Sequence, residues 1–304
     1  MNWERDGEEL KAWADPLYGN SGWSRIIKSV GFYFRPGLTW PRRTQLGLNL
    51  RAYPAGAIFA DKGPVAFAHP QHLPLYLGLS NSSAFATVIS LQMAFGSYEV
   101  GVIQRTPVPD LSNVDGEHVG ELARSAVVRK QSLDTVNETS HVFMLPAVLQ
   151  VPGNTLIERV EGWRVRVADA AGELASLQQH LDEVSYRLYG IAGEDRQAVQ
   201  VSPDEEVTTE DAEAEEDDTS IEEEGASATN SRTLISDLLS YALGTTLGQW
   251  DIRYATSQSP CPELPDPFAP LPVCSPGMLT GEGGIPLHEA PLDILSVSTR
   301  TACW

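Results

Sequence analysis

The sequence predicts an α+β protein in which a small mixed β-sheet, packed helices and one long helix share a chain of 304 residues. The first part is rich in aromatic and β-branched residues and is broken often by glycine and proline, which is typical of short strands. A heptad pattern follows it, and a run dense in acids comes next. These observations divide the chain into residues 1–151, 152–200, 201–230 and 231–304.

Residues 1–151 are predicted to hold the sheet. The strings GFYFRPGLTWP and LRAYPAGAIFADKGPVAF have the composition of strands separated by turns, and the second predicts a hairpin that turns near Asp61, Lys62 and Gly63. The string LPLYLGLSNSSAFATVISLQMAF predicts one or two buried helical segments. The string GSYEVGVIQRTPVP predicts a further strand, which Pro107 ends because proline cannot donate a backbone hydrogen bond.

Residues 152–200 are predicted to form one long helix. Thr155 and Glu158 have the spacing of a capping box, and Gly190 is suited to end the helix. Apolar or small residues alternate at steps of four and three, as in a coiled-coil seam or in a helix packed on the first part of the chain. The seam consists of Leu156, Val160, Trp163, Val167, Ala170, Leu174, Leu177, Leu181, Val184, Leu188 and Ile191.

Residues 201–230 are predicted to be a solvated, disordered linker. Thirteen acids and no base lie between Asp204 and Glu224, and such a density of like charge is typical of an unstructured span rather than of a DNA mimic. The whole chain carries a charge of -20, so the remainder carries -20 + 13 = -7. The low isoelectric point therefore says little about the folded part of the protein.

Residues 231–304 are predicted to begin with a helix and to continue as an extended tail. The string SRTLISDLLSYALGTTLGQW places Leu234, Leu238, Ala242 and Leu243 on one apolar face. After Trp250, the string SPCPELPDPFAPLPVCSPG is rich in proline and predicts a polyproline-like conformation.

The sequence contains no complete set of catalytic residues. Phosphate-binding loops, dinucleotide-binding glycine patterns, zinc-protease and nucleophile-elbow motifs are all missing, and His69 and His72 lack a third metal ligand nearby. Three cysteines in the last fifth of the chain do not form a disulfide framework. The missing motifs predict that the chain has no resident cofactor or metal. The acidic start and the lack of a membrane-spanning apolar run predict a cytoplasmic protein.

Residues 16–109 form a basic segment in this acidic chain. Eight arginines and lysines face two acids, Asp61 and Glu99, so the segment carries a charge of +6. Trp23, Phe32, Tyr33, Phe34 and Trp40 lie among these bases. Cations interleaved with aromatic rings are suited to the phosphates and base faces of a nucleic acid.

Eight strings occur in a fixed order along the chain: RPGLTWPRRT, AGAIFADKGPVAF, LGLSNSSAF, GSYEVGVIQRTPVPDL, SLDTVNETSHVFMLPAVLQV, LDEVSYRLYGI, LGQWDIRYAT and PELPDPFAPLPVCSPGML. Together they resemble the C-terminal half of large adenine-specific DNA methyltransferases of bacterial restriction-modification and phage-defence systems, in particular the PglX-like enzymes of BREX-type systems. The resemblance covers residues 3–279, and the final residues after about Pro286 depart from it, as a frameshift or truncation would produce.

The resemblance implies a target-recognition domain in residues 1–151 and a spacer helix in residues 152–200. In that family an upstream Rossmann-like half binds S-adenosylmethionine and carries an NPPY-type catalytic motif. This chain has neither the motif nor a glycine-rich cofactor loop, so the resemblance assigns no catalytic residue to it. It implies double-stranded DNA and a separate methylase domain or chain as partners. Without that partner, the seam is expected to be exposed and to promote self-association.

The residues expected to contact DNA come from the basic segment, because arginine and lysine bind phosphates and arginine and glutamine also bind base edges. Two alternatives stay open. The chain could be a protein-interaction adaptor built on the seam, or an inactive remnant of the methyltransferase. The charges could also serve solubility or pair with the acidic run. The predicted DNA contacts are Arg35, Trp40, Arg42, Arg43, Arg51, Lys62, Gln104 and Arg105.

Overall fold

The protein combines helices with a small sheet, which confirms the predicted α+β class. The computed structural model describes residues 3–18, 22–44, 47–92, 97–111, 114–193, 195–196, 229–281 and 284–286. The acidic run lies outside the described residues except for its last two positions, 229 and 230. In the described part of the chain, no helix has the length and apolar character needed to cross a membrane.

The sheet has three short strands in the order β2-β1-β3, namely β1 Gly37–Thr39, β2 Arg51–Tyr53 and β3 Val65–Ala66. Both pairings are antiparallel, so the expectation of a mixed sheet is wrong for the described strands. The predicted turn is present, because Gly63 N–H donates to the Ala60 carbonyl at 3.2 Å. The hairpin does not extend beyond that turn, since β3 pairs with β1 instead.

Helices surround the sheet. Helix α1, Glu4–Tyr18, is broken at residues 5–7, where φ is positive, and packs through Ala14. The predicted one or two buried helical segments are two helices, α2, Leu73–Ser80, and α3, Ser83–Ser90. The segment predicted as a strand before Pro107 is wrong, because it forms helix α4, Val100–Arg105. Val102 and Ile103 pack inward there, which is a helical rather than an alternating pattern.

Helix α5, Val114–Asp134, was not predicted and forms much of the core. It crosses α2 closely at Gly78, where an added Cβ would lie 2.9 Å from the Val119 Cγ1 atom. Glycine therefore allows the two helices to approach, and Val119 is fully buried in the contact.

Helix α6, Leu156–Tyr189, confirms the predicted long helix and both of its ends. Thr155 and Glu158 form the capping box, and Gly190 ends the helix with a φ of 69°. The seam packs within the chain: Leu181 and Val184 join the core beneath α3 and α5, and other seam residues pack on residues 147–151. The expectation that the seam is an exposed stripe is therefore wrong.

Residues 229–281 return to the body of the protein. Helix α7, Ser231–Thr246, confirms the predicted helix, and a single turn, α8 Ile252–Ala255, follows Trp250. The proline-rich tail then packs against the first part of the chain. Ala55 N–H donates to the Phe268 carbonyl at 3.1 Å, and the Gln131 side chain donates to the Pro265 carbonyl at 3.1 Å.

Candidate nucleic-acid interface

Arg42 lies between the two acids of the basic segment, just beyond the end of β1. Its Nε donates to both oxygens of Glu99 at 2.9 and 3.0 Å, and its Nη1 donates to Asp61 Oδ2 at 2.7 Å. Charge-assisted bonds of this kind fix a guanidinium in one orientation. Arg42 is thus tied to the protein itself, which limits its availability as a direct phosphate contact.

Three backbone segments hold this corner together. Tyr98 N–H donates to the Arg42 carbonyl at 2.8 Å, and Arg42 N–H donates to the Lys62 carbonyl at 3.4 Å. Arg43 forms an isolated antiparallel bridge with Ser97. The 60–63 turn, the end of β1 and the start of α4 therefore meet at one place, which we call the Arg42 corner. Residues 57 positions apart in sequence become neighbours there.

The charged groups of the Arg42 corner shift each other's pKa values. The hydrogen bond from Arg42 lowers the pKa of Glu99 below its ordinary value, and a bond from Ser97 adds to the effect. The same contact with Glu99 raises the pKa of Arg42. Both groups stay ionised at neutral pH, so the corner is a fixed ion-pair cluster rather than a proton-transfer site.

Trp40 does not contribute a surface ring, and its prediction as a DNA contact is wrong. Its side chain is 3% exposed and packs with Leu38, Leu50 and Leu73 beneath the sheet. Its indole Nε1 donates to the Tyr98 carbonyl at 2.9 Å. A large ring in a basic segment fills the core here because it fits between the sheet and α2.

Arg35, Arg43 and Arg51 differ from Arg42, because all three are exposed and none has a carboxylate within ion-pair distance among the described residues. Arg43 nevertheless interacts with Glu99 through its charge, which contributes to the lowered pKa of that carboxyl. Arg51 is on edge strand β2, opposite Thr39. Lys62 is exposed in the turn at the Arg42 corner. Together with Arg42, these residues give five positive charges against Asp61 and Glu99, a local charge of 5 - 2 = +3.

Aromatic rings cover the sheet face that Arg51 shares. Strand alternation places Arg51, Tyr53 and Phe67 on this face, opposite the face of Leu38. The Phe32 ring lies 5.2 Å from the Phe67 ring. Further rings of the cluster are Tyr33 and Phe59.

The loop before β1 presents two exposed rings and a cation, and we call it the Phe32 loop, residues 29–36. Phe32 and Phe34 are 47% and 42% exposed, and the Arg35 guanidinium lies 5.3 Å from the Phe32 ring centroid. Ser29 and Phe34 both have positive φ, 57° and 66°. Non-glycine residues rarely adopt this conformation, and such strain is often found where a loop serves a function.

Gln104 and Arg105 lie at the other end of α4 from Glu99, and both are exposed. A helix of six residues is about 9 Å long, so these two side chains extend the surface away from the Arg42 corner. Seven of the eight predicted residues are therefore at least partly exposed around the sheet and α4, and Trp40 is the exception.

Two features of this surface were not predicted, although each has a weak signal in the sequence. Asp61 and Glu99 are the sole acids of the basic segment, which indicates an ion-pair partner, but their shared arginine is not evident from sequence. Phe67 follows β3, where the alternation of VAFA places it on the aromatic face.

No protein-family model matches this chain, and no curated protein matches its sequence. Within the described ranges, no three histidine, cysteine or carboxylate side chains are grouped as metal ligands. The chemistry of the surface therefore has to be argued from its own charges and rings.

Proposed function

We propose that the chain is the DNA-binding, target-recognition fragment of an S-adenosylmethionine-dependent, adenine-specific DNA methyltransferase. In this proposal it docks a duplex through the surface formed by the Phe32 loop, β2, the Arg42 corner and α4. The fragment positions DNA and a separate methylase domain or chain transfers the methyl group. S-adenosylmethionine belongs to that partner, since no residue here has the pattern that would hold it.

One observation supports DNA binding most strongly. Arg42 engages both acids of the basic segment, and Arg35 and Arg51 stay exposed without an ion pair to a carboxylate in the described structure, while the exposed Arg43 interacts only through its charge with Glu99. Keeping such cations unneutralised in a chain of charge -20 favours an external polyanion. The exposed rings of Phe32 and Phe34 add a surface on which a base or sugar can stack.

The methyltransferase part of the proposal depends on the resemblance of the ordered strings. It predicts that a neighbouring reading frame encodes the NPPY motif and that its product co-purifies with this chain. If co-expression of that product yields no complex and no adenine methylation, the chain is better explained as an inactive remnant.

The DNA-binding part is tested by fluorescence anisotropy with a labelled duplex over a series of salt concentrations. We expect log affinity to fall steeply with log salt, with a slope near -0.9 for each phosphate that is neutralised. Arg43→Glu with Arg51→Glu should weaken binding at least about tenfold and reduce the slope by about 2. Binding without a salt slope would refute the proposal.

A matched control distinguishes an effect of this surface on DNA binding from an effect of the overall charge of the protein. Arg124→Glu with Lys130→Glu makes the same change of charge at exposed positions of α5, outside the sheet and α4. We expect this variant to retain most of the affinity. An equal loss in both variants would mean that overall charge, and not this surface, controls binding.

Glu99→Gln is expected to strengthen DNA binding, whereas the arginine variants are expected to weaken it. It removes one negative charge from the surface and half of the restraint on Arg42, so affinity should rise a few-fold with a steeper salt slope. A fall in affinity would show that an ordered Arg42 is itself needed for binding.

A further inference from the structure

Helix α7 exposes a continuous apolar stripe. Large apolar side chains recur at every fourth residue, which places them on one side of the helix. Exposed fractions are 38% for Ile235, 65% for Leu239, 62% for Leu243 and 75% for Leu247. The stripe covers twelve residue steps, or about 18 Å of helix.

This stripe is separate from the face by which α7 packs on the protein. Leu234 and Tyr241 are buried and Leu238 is partly buried on the opposite side, where they contact Trp163 and Phe143 among others. The body of the protein therefore uses one face of α7 and leaves the other uncovered within the described structure.

The exposed face also lacks the charges that a solvated helix face normally carries. Ser236, Ala242 and Thr246 flank the stripe and are small and uncharged, and Arg232 is the one charged residue on this side of α7. Asp237 lies on another side, near Glu138. An apolar, nearly uncharged face on a chain of charge -20 is typical of a surface that a partner covers.

We propose that this face pairs with the same face of a second copy of the chain, with the two α7 helices antiparallel. In that arrangement the Leu239 side chains of the two copies meet at the centre, Ile235 of each copy lies against Leu243 of the other, and the stripe is complementary to itself. Arg232, in the first turn, then lies beside the partner helix's last turn, whose carbonyls attract cations. The face has no acid, so pairing here brings no negative charges of the two α7 faces together.

The small flanking residues fit the same arrangement. Packed helices lie 8–10 Å apart, and the distance depends on the side chains at the contact, so the small side chains of Ser236 and Ala242 favour a close approach. The proposed pairing is independent of DNA binding and leaves the Arg42 corner, on another part of the chain, available to a ligand.

The test is the mass of the full chain, measured by light scattering and sedimentation over a wide concentration series without DNA. We expect a monomer–dimer equilibrium. Leu239→Ser with Leu243→Ser should raise the dimer dissociation constant at least about tenfold. The matched control is Leu91→Ser with Val128→Ser, which changes apolar residues of comparable exposure, 82% for Leu91 at the end of α3 and 60% for Val128 on α5. It should leave the constant unchanged.

Arg232→Glu tests the antiparallel orientation, because it places an acid beside the partner's carbonyl end. The dissociation constant should rise several-fold while the unfolding midpoint of the monomer is retained. A monomer at every concentration, or a dimer unchanged by the stripe variant, would overturn the proposal. A second outcome would also overturn it: the full chain is monomeric, but a chain that ends at Pro286 forms dimers. Residues 287–304 would then be the segment that covers the stripe.

Discussion

Two arginine–carboxylate clusters in this protein have similar chemistry and opposite surroundings. In the Arg42 corner the arginine is 37% exposed and its acids, Asp61 and Glu99, are 84% and 46% exposed. In the second cluster, Arg253 is 40% exposed but its partner Asp251 is only 2% exposed. One cluster therefore surrounds an arginine with solvated acids, and the other neutralises a buried acid.

The second cluster stabilises the local fold, because Asp251 caps a helix and bonds to the tail. Asp251 Oδ1 accepts from the Arg253 backbone N–H at 3.0 Å and caps α8, and its own N–H donates to the Gly277 carbonyl at 2.9 Å. Burial, followed by the nearby Asp251 charge, raises the pKa of both Tyr241 and Tyr254. The tail cluster therefore helps to hold α7, α8 and the tail together.

The difference shows that the same pair of residue types can serve stability or binding according to burial. A solvated ion pair contributes little to folding, so the Arg42 corner is free to be shaped for a ligand. A buried carboxylate that loses its partners destabilises the fold, so the tail cluster cannot vary in the same way.

The largest expected effect comes from removing the buried acid. Asp251→Ala deletes the cap of α8 and the charge-assisted hydrogen bonds from Arg253, and we expect a loss of about 3 kcal/mol in the free energy of unfolding. Asp61→Ala removes an exposed partner of Arg42 and should change stability little. Urea denaturation of both variants checks the contrast, and equal losses would contradict it.

An intermediate effect tests how tightly the tail region is packed. An added Cβ at Gly244 would lie 2.4 Å from two atoms of the Trp250 ring, so Gly244→Ala should destabilise the protein by about 2 kcal/mol. Gly172 lies on α6 with no atom within 4 Å of an added Cβ, so Gly172→Ala should stabilise by up to about 1 kcal/mol. Thermal unfolding of the two variants compares their stabilities. Shifts of the unfolding midpoint in the same direction would refute the tight packing of Gly244 against Trp250.

The smallest expected effect concerns a carboxyl pair beside the tail region. Burial, and then the charge of Glu138, raises the pKa of Asp237 above its ordinary value of 3.8. A carboxyl with a raised folded pKa stabilises the fold while it is protonated, and this contribution is lost as pH rises through the folded value. Its charge therefore costs stability at neutral pH.

Asp237→Asn should accordingly raise the unfolding midpoint at pH 7 by an amount on the order of 1 °C. An asparagine amide can also donate toward Glu138 Oε1, which is buried without a hydrogen-bond partner among the described residues. The gain should fall as pH drops through the ordinary value of 3.8 and should be nearly absent by about pH 3, where the wild-type carboxyl is protonated in both the folded and the unfolded state. A gain that persists at pH 3 would point to packing instead of charge.

Local sequence signals predicted α6 well and α4 and α5 poorly. Helix α6 has a long seam, a capping box and a terminal glycine, and each is a local feature. Helix α5 has two buried glycines and few large apolar residues, so its pattern is weak until α2 and α6 pack on it. Helix α4 is six residues long, too short for its period to be distinguished from strand alternation.

The sequence predicted which segment holds the candidate interface, but not which of its side chains are exposed or which of them contact each other. Composition alone located the basic residues, because charge is read directly from sequence. Trp40 differs from the other predicted residues because its side chain is buried. Arg42 differs from Arg43 because it forms hydrogen bonds with Glu99, which lies 57 positions away in sequence. These distinctions depend on which residues meet, and no local pattern contains that information.

The sequence by itself determined the α+β class, the long helix with its two ends and the concentration of positive charge before residue 109. Tertiary structure alone decided that the heptad seam is covered, that both acids of the basic segment bind one arginine and that α7 exposes an apolar stripe. The physical reason is range: propensity, capping and net charge act between near neighbours, whereas burial and ion pairing depend on elements that are distant in sequence and adjacent in space.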